Sequence, residues 1–160
     1  MRRGVAILVV VAAGAPLVAG CGPSDDDSGS STAASTTTAP AATAKSSAVA
    51  AEGGKITVDS TEYAFDPKAI SADAGELAIT LDNKGKVPHE LVVLKTDAAP
   101  DSLPVSNGRV SDDDAVGEVS ETDGGATKSE SVDLKAGKYV YVCNIPGHYG
   151  DGMYGSLTVK

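Results

Sequence analysis

Cys143-Asn144-Ile145-Pro146-Gly147-His148-Tyr149-Gly150-Asp151-Gly152-Met153 sets a thiol, an imidazole and a thioether at even spacing, with four residues between each pair. All three are soft or borderline metal ligands. A regular strand turns successive side chains to opposite faces. Cys143 and His148 therefore meet only if the chain folds back between them. Pro146-Gly147 supplies a turn immediately before His148, and Gly150 and Gly152 let the loop close before Met153. The flanks read as strands. Lys138 to Cys143 alternates, with Tyr139, Tyr141 and Cys143 on one side and Val140 and Val142 on the other, and Tyr154 to Val159 follows the loop.

The chain holds two His, two Cys and two Met. Cys21 sits in a targeting segment and Met1 is the initiator. After processing, every remaining His, Cys and Met belongs to one set: His89, Cys143, His148 and Met153. A His₂Cys group with a weak axial Met is the ligand signature of a blue-copper electron-transfer site, in which thiolate and thioether suit Cu(I). His89 follows Pro88 far upstream, and neighbouring strands at one end of a sandwich can deliver such a ligand. Taken singly, each residue has a blander role. Cys143 fits a small buried strand position, His89 a half-buried place beside a turn, and Met153 a core gap. Zinc also binds Cys and His, although structural zinc sites use closely spaced ligand pairs. A Cys–His nucleophile needs a third group to orient the imidazole and gives Met153 no part. The joint spacing favours copper.

Outward from the loop the domain reads as short strands. Ile56-Thr57-Val58-Asp59 alternates, Tyr63-Ala64-Phe65 runs into the turn at Asp66-Pro67, and Leu77 to Leu81 runs into Asp82-Asn83-Lys84-Gly85. Val87 to Leu94 carries His89, and Val132 to Leu134 precedes the turn Lys135-Ala136-Gly137. No segment has a long helical period. The predicted fold class is all-β, a Greek-key β-sandwich over residues 54–160. Thr96 to Lys128 breaks the regularity, with Asn107-Gly108, Gly124-Gly125 and many acids, Asp112-Asp113-Asp114 among them. It is expected to be a solvated acidic excursion with a short strand or helical turn near Ala115 to Val119. A docking surface for a positively charged partner is the sharper reading. Calcium lacks EF-hand spacing here.

The first fifty or so residues have a different character. Arg2 and Arg3 precede an uncharged, mostly apolar run from Val5 to Val18, as in an export signal. Val18-Ala19-Gly20-Cys21 resembles the lipobox of bacterial lipoproteins, which implies cleavage after residue 20 and lipidation of Cys21. An uncleaved membrane anchor over Gly4 to Gly20 is the alternative. Residues 21–53 are rich in Ser, Thr and Ala, without apolar periodicity, and are expected to be a disordered tether. About thirty flexible residues reach on the order of 30 Å. Both leader readings put the domain outside the cytoplasm, with the favoured one anchoring it by lipid to the bacterial cell membrane. The formal net charge of −9 argues against nucleic-acid binding.

Cys143-x₄-His148-x₄-Met153 with upstream Pro88-His89 resembles the cupredoxin, or type 1 blue copper, family, which includes plastocyanins, azurins, auracyanins and sulfocyanins. The resemblance covers about Lys55 to Lys160. It implies one copper ion held by His89, Cys143 and His148 in a trigonal plane with Met153 weakly on the axis, and electron passage through the exposed edge of His148. Many members carry Asn after the upstream His; here Glu90 stands there, which leaves the tie between the two ligand segments open. The implied function is extracytoplasmic one-electron transfer between donor and acceptor proteins by a monomer that is not itself an enzyme. Oxidases and nitrite reductases of this fold need further His-based copper centres, for which two His are too few. Copper storage or delivery is the alternative, and a metal-free β-sandwich the third class.

Overall fold

The structure is a computed structural model that describes residues 47–160. Among them it contains no helix. Twelve strands follow in order: β1 (Val49–Ala50), β2 (Lys55–Thr61), β3 (Ala64–Asp66), β4 (Ala69–Ala72), β5 (Gly75–Asn83), β6 (His89–Lys95), β7 (Val105–Ser106), β8 (Arg109–Val110), β9 (Ala115–Thr122), β10 (Thr127–Leu134), β11 (Gly137–Val142) and β12 (Tyr154–Val159). The export signal, Cys21 and most of the tether lie outside the described residues.

Strand periodicity makes the core. In β5 the odd positions Leu77, Ile79 and Leu81 are buried, and Val132 lies opposite Leu77 on antiparallel β10. β5 also pairs in parallel with β2, bringing Leu81 beside Val58. These strands form a four-stranded sheet in the order β10-β5-β2-β3. A six-stranded sheet, β1-β4-β12-β11-β6-β9, faces it. Leu91, Val93, Tyr139, Tyr141, Cys143 and Leu157 from its inner face join Leu77, Ile79 and Leu81 in one apolar cluster. The predicted sandwich is therefore present, and the non-sequential neighbours β4–β12 and β6–β11 are crossovers between distant strands.

Two expectations are revised, and one strand is new. The stretch from Thr96 to Lys128 is not a simple solvated excursion. The strand expected near Ala115 to Val119 is present as β9, and the stretch also contains the β7–β8 hairpin and the start of β10. β9 is a full edge strand of the large sheet with Val119 fully buried, while its charged Glu118 and Glu121 are exposed, a composition that discourages edge pairing. Val110 and Leu103 from the same stretch pack with Val92, Leu94, Val140, Val142 and Tyr149 on the outer face of β6 and β11. Both faces of those strands are thus covered, which explains their unbroken apolar runs. β4 was not anticipated, since Ala69-Ile70-Ser71-Ala72 is too short to show a pattern. The ordered domain also starts before residue 54, because Val49 and Ala50 pair in parallel with Ile70 and Ser71. Two residues carry no periodicity, so a neighbouring strand rather than local sequence defines that edge.

Candidate metal centre

β6 starts at His89, β11 ends one residue before Cys143, and β12 starts one residue after Met153. Val142 lies opposite Val92 on one side and Tyr154 on the other. This register puts both ends of the loop and the start of β6 at one end of the sandwich. The Cys143 N–H donates to the Met153 carbonyl at 3.0 Å and the Met153 N–H to the His148 carbonyl at 3.1 Å. The loop is thereby zipped at its base. Gly147 and Gly152 take φ of 93° and 107°, a left-handed region that side chains rarely enter. The fold-back predicted between Cys143 and His148 uses Gly147, and the closure before Met153 uses Gly152.

The Cys143 Sγ lies 3.3 Å from His148 Nδ1 and 3.9 Å from His89 Nδ1. All three donor atoms are within 4.8 Å of one another. Cys143 and His89 are fully buried and His148 is half-buried. Donors in a plane about 2.1 Å from one centre stand roughly 3.6 Å apart, so this spacing suits a single small metal ion. Met153 is fully buried at the base of the same loop. His89, Cys143 and His148 thus meet at one end of the fold, and the Met153 backbone closes the loop beneath them.

The electrostatics favour an uncharged pocket that a metal can charge. Burial pushes the Cys143 thiol up, opposed by the backbone N–H groups of Glu90 and Ile145 that point toward it. Burial lowers both imidazoles, and His148 lowers His89 further. Neutral imidazole is the form that binds metal. A thiol held protonated by its surroundings must release its proton on binding, so affinity depends on pH.

Several supporting residues were not singled out in the sequence. Asn83 is fully buried. Its Nδ2 donates to the Val87 and Thr122 carbonyls at 2.8 and 2.9 Å, and its Oδ1 accepts the Gly85 N–H at 2.9 Å. One amide thus fixes the loop that delivers His89. The Asp82-Asn83-Lys84-Gly85 turn signal was visible, but the reach of its Asn side chain was not. Glu62 in the β2–β3 turn accepts the Lys86 N–H at 2.6 Å. Tyr63 beside it meets the His148 ring edge-on, with centroids 5.2 Å apart. Glu90, the departure noted above, keeps a mostly buried carboxyl. Burial raises it, while Arg109 and the Asn144 backbone N–H stabilise its anion.

Comparison with known proteins gives the same picture. The family model of copper binding proteins, plastocyanin/azurin family, matches residues 52–160. The chain is 34% identical over 128 residues to an azurin from Pseudomonas fluorescens biotype C, covering 66% of this chain and 98% of that protein. Among solved structures it resembles an auracyanin from Roseiflexus castenholzii, at 23% identity and a TM-score of 0.55 over 69% of this chain and 98% of that one. It also resembles auracyanin A, a "blue" copper protein from Chloroflexus aurantiacus, at 25% identity and a TM-score of 0.51 over 66% and 99%.

Proposed function

From a chain that belongs to the plastocyanin/azurin family of copper-binding proteins, we infer a one-electron carrier that is not an enzyme and works outside the cytoplasm. The observation that carries this reading is the convergence of His89 Nδ1, Cys143 Sγ and His148 Nδ1 at one buried point. Bound copper supplies exchange of one electron between its Cu(II) and Cu(I) states.

The chain's own residues provide a holder that changes little between those states. His89 and Cys143 come from the ends of paired strands, and His148 from a loop zipped at its base. Met153, buried in the same loop, would be the fourth residue to hold the ion, its thioether suiting Cu(I). His148 is the least buried of the three converging donors, so its ring edge is the route proposed for electrons. Donor and acceptor are proteins that dock over that edge, and the carrier acts as a monomer.

The proposed location rests on the leader. Val18-Ala19-Gly20-Cys21 would place a lipid on Cys21, with residues 21 to the start of the domain as the tether to the cell membrane. Fatty-acid labelling of the expressed protein tests this assignment. Label that persists in Cys21→Ser would overturn it.

The central test is to add one equivalent of Cu(II) to the purified protein and record its visible spectrum. An intense copper–thiolate band is expected, bleached by reductant and lost in Cys143→Ser. A colourless product, or only a weak tetragonal Cu(II) band, would remove the carrier reading. Copper that passes to a chelator at the first reduction, instead of surviving repeated cycles, would favour storage or delivery.

A further inference from the structure

The segment between β6 and β9 grips the loop that carries Cys143 and His148. The Gly147 N–H donates to the Gly108 carbonyl at 2.8 Å. The Asn144 side chain accepts the Val110 N–H at 2.8 Å and donates to the Val110 carbonyl at 3.0 Å. The Tyr149 hydroxyl donates to the Pro100 carbonyl at 2.8 Å and accepts the Leu103 N–H at 2.9 Å. These contacts reach the loop at residues on both sides of His148. The stretch that looked like a solvated excursion in the sequence is a clasp.

Arg109 occupies a particular place in this clasp. Its Nη1 donates to the Asn144 carbonyl at 2.6 Å and lies 3.8 Å from Glu90 Oε1. Asn144 directly follows Cys143, and Glu90 directly follows His89. One guanidinium nitrogen thus stands between the neighbours of two metal-binding residues that come from different strands. The energy of the ion pair is not the point. Arg109 is half-exposed, and exposed pairs contribute little. Its effect is geometric, because the bond to the Asn144 carbonyl is charge-assisted and directional, and the Glu90 carboxylate is mostly buried with few ways to move.

We propose that Arg109 is a positioning residue for the copper centre: by bridging the Asn144 carbonyl and the Glu90 carboxylate, it holds the ends of the Cys143 and His89 segments together, beyond their last paired residues, before metal arrives. This rests on the copper reading only for its purpose; the bridge itself is a property of the metal-free chain.

The test is amide hydrogen exchange on the metal-free protein, compared across wild type, Arg109→Met and Arg109→Lys. Met keeps an unbranched apolar stem but removes the donor. In Arg109→Met the amides of Val110, Asn144, Ile145 and Gly147 should exchange roughly tenfold faster, as expected when a charge-assisted hydrogen bond is lost. The β5 amides of Ile79 and Leu81 should be unchanged, which separates a local effect from loss of the fold. Arg109→Lys, whose single ammonium can serve both acceptors, should recover most of the protection. The copper-loaded Met variant should release copper to a chelator faster than wild type by a similar factor. Exchange in Arg109→Met equal to wild type would overturn the proposal. So would an Arg109→Lys protein as unprotected as Arg109→Met, since an ammonium can also donate to the Asn144 carbonyl. A wild type that takes up no copper would overturn the copper reading instead, while the exchange data would still judge the bridge.

Discussion

Tyr63 stands edge-on to His148, with ring planes at 83°, and does so from a backbone at φ 62°. Thr61 pairs with Ala64, so Glu62 and Tyr63 form a two-residue turn. Its second position favours Gly or Asn, yet the chain places a large, half-exposed aromatic there. An L-residue in this region costs about 1–2 kcal/mol, and the edge contact with His148 returns about 0.5–1.5 kcal/mol. Tyr63→Ala loses the ring and keeps the strain, whereas Tyr63→Gly loses both. The Gly variant should therefore be the more stable of the two by roughly 1 kcal/mol. Urea denaturation of both metal-free proteins checks this. Equal midpoints would mean that the turn is not strained.

Gly155 is fixed by its neighbour across the sheet. It lies opposite Tyr141, and a Cβ there would meet the Tyr141 ring at 2.1 Å. Tyr141 is fully buried, and its hydroxyl donates to the Pro67 carbonyl. The ring therefore cannot swing aside. Gly155→Ala should cost about 1–3 kcal/mol by overpacking. Tyr141→Leu should make the Ala substitution much less damaging, because the clash is with the ring. Thermal melts of the two single variants and the double would show this as non-additivity; simple additivity would rule out the clash.

The ligand set was legible because it depends on residue type and count. His89, Cys143, His148 and Met153 are the residual His, Cys and Met once the leader is set aside, and only a turn at Pro146-Gly147 lets two of them meet. The inner strands were legible because Leu77, Ile79 and Leu81 repeat at the period of a strand. What failed to show was anything defined by a partner. β1 and β4 exist because β12 offers an edge. The role of Leu103 and Val110 depends on the outer face of β6 and β11. Asn83 and Arg109 act through side-chain bonds to backbone distant in sequence. Such bonds leave no periodic trace, and an acidic setting disguised Val110 as part of a loop.

Asn144 joins the ligand loop to the β7–β8 hairpin through both hydrogen bonds of its side-chain amide. Val110 is buried, so removing the amide strands its N–H and carbonyl away from water. Asn144→Ala should destabilise the metal-free protein by roughly 2–4 kcal/mol, the sum of two unsatisfied backbone groups. Asn144→Asp keeps the acceptor for the Val110 N–H but turns an anion toward the Val110 carbonyl, so it should also destabilise, and more at neutral than at acid pH. Thermal denaturation at two pH values checks both. An Asn144→Ala protein as stable as wild type would show that the hairpin is held elsewhere.

The two histidines predict how the metal-free protein responds to acid. Burial, and then His148, lowers His89 below its ordinary 6.5, and burial lowers His148. On acidification the unfolded chain takes up these protons first. The stability they represent is present in full above pH 6.5 and is lost as the pH falls toward the lower folded values, at up to about 1.4 kcal/mol per pH unit for His89. Below the folded values the loss levels off. Glu90 works in the opposite direction: burial raises it above its ordinary 4.5, so the folded protein holds that proton more firmly and gains stability relative to the unfolded chain as the pH drops toward 4.5. The two histidines make stability fall as the pH drops through 6.5, and urea unfolding of Glu90→Gln, which lacks the opposing group, should show that fall. Adding His89→Gln to that variant should flatten the slope, whereas restoring Glu90 should make it shallower wherever the folded protein takes up the Glu90 proton. A Glu90→Gln profile that is level or rising on acidification from pH 7.5 to 6 would contradict the buried, neutral state assigned to His89.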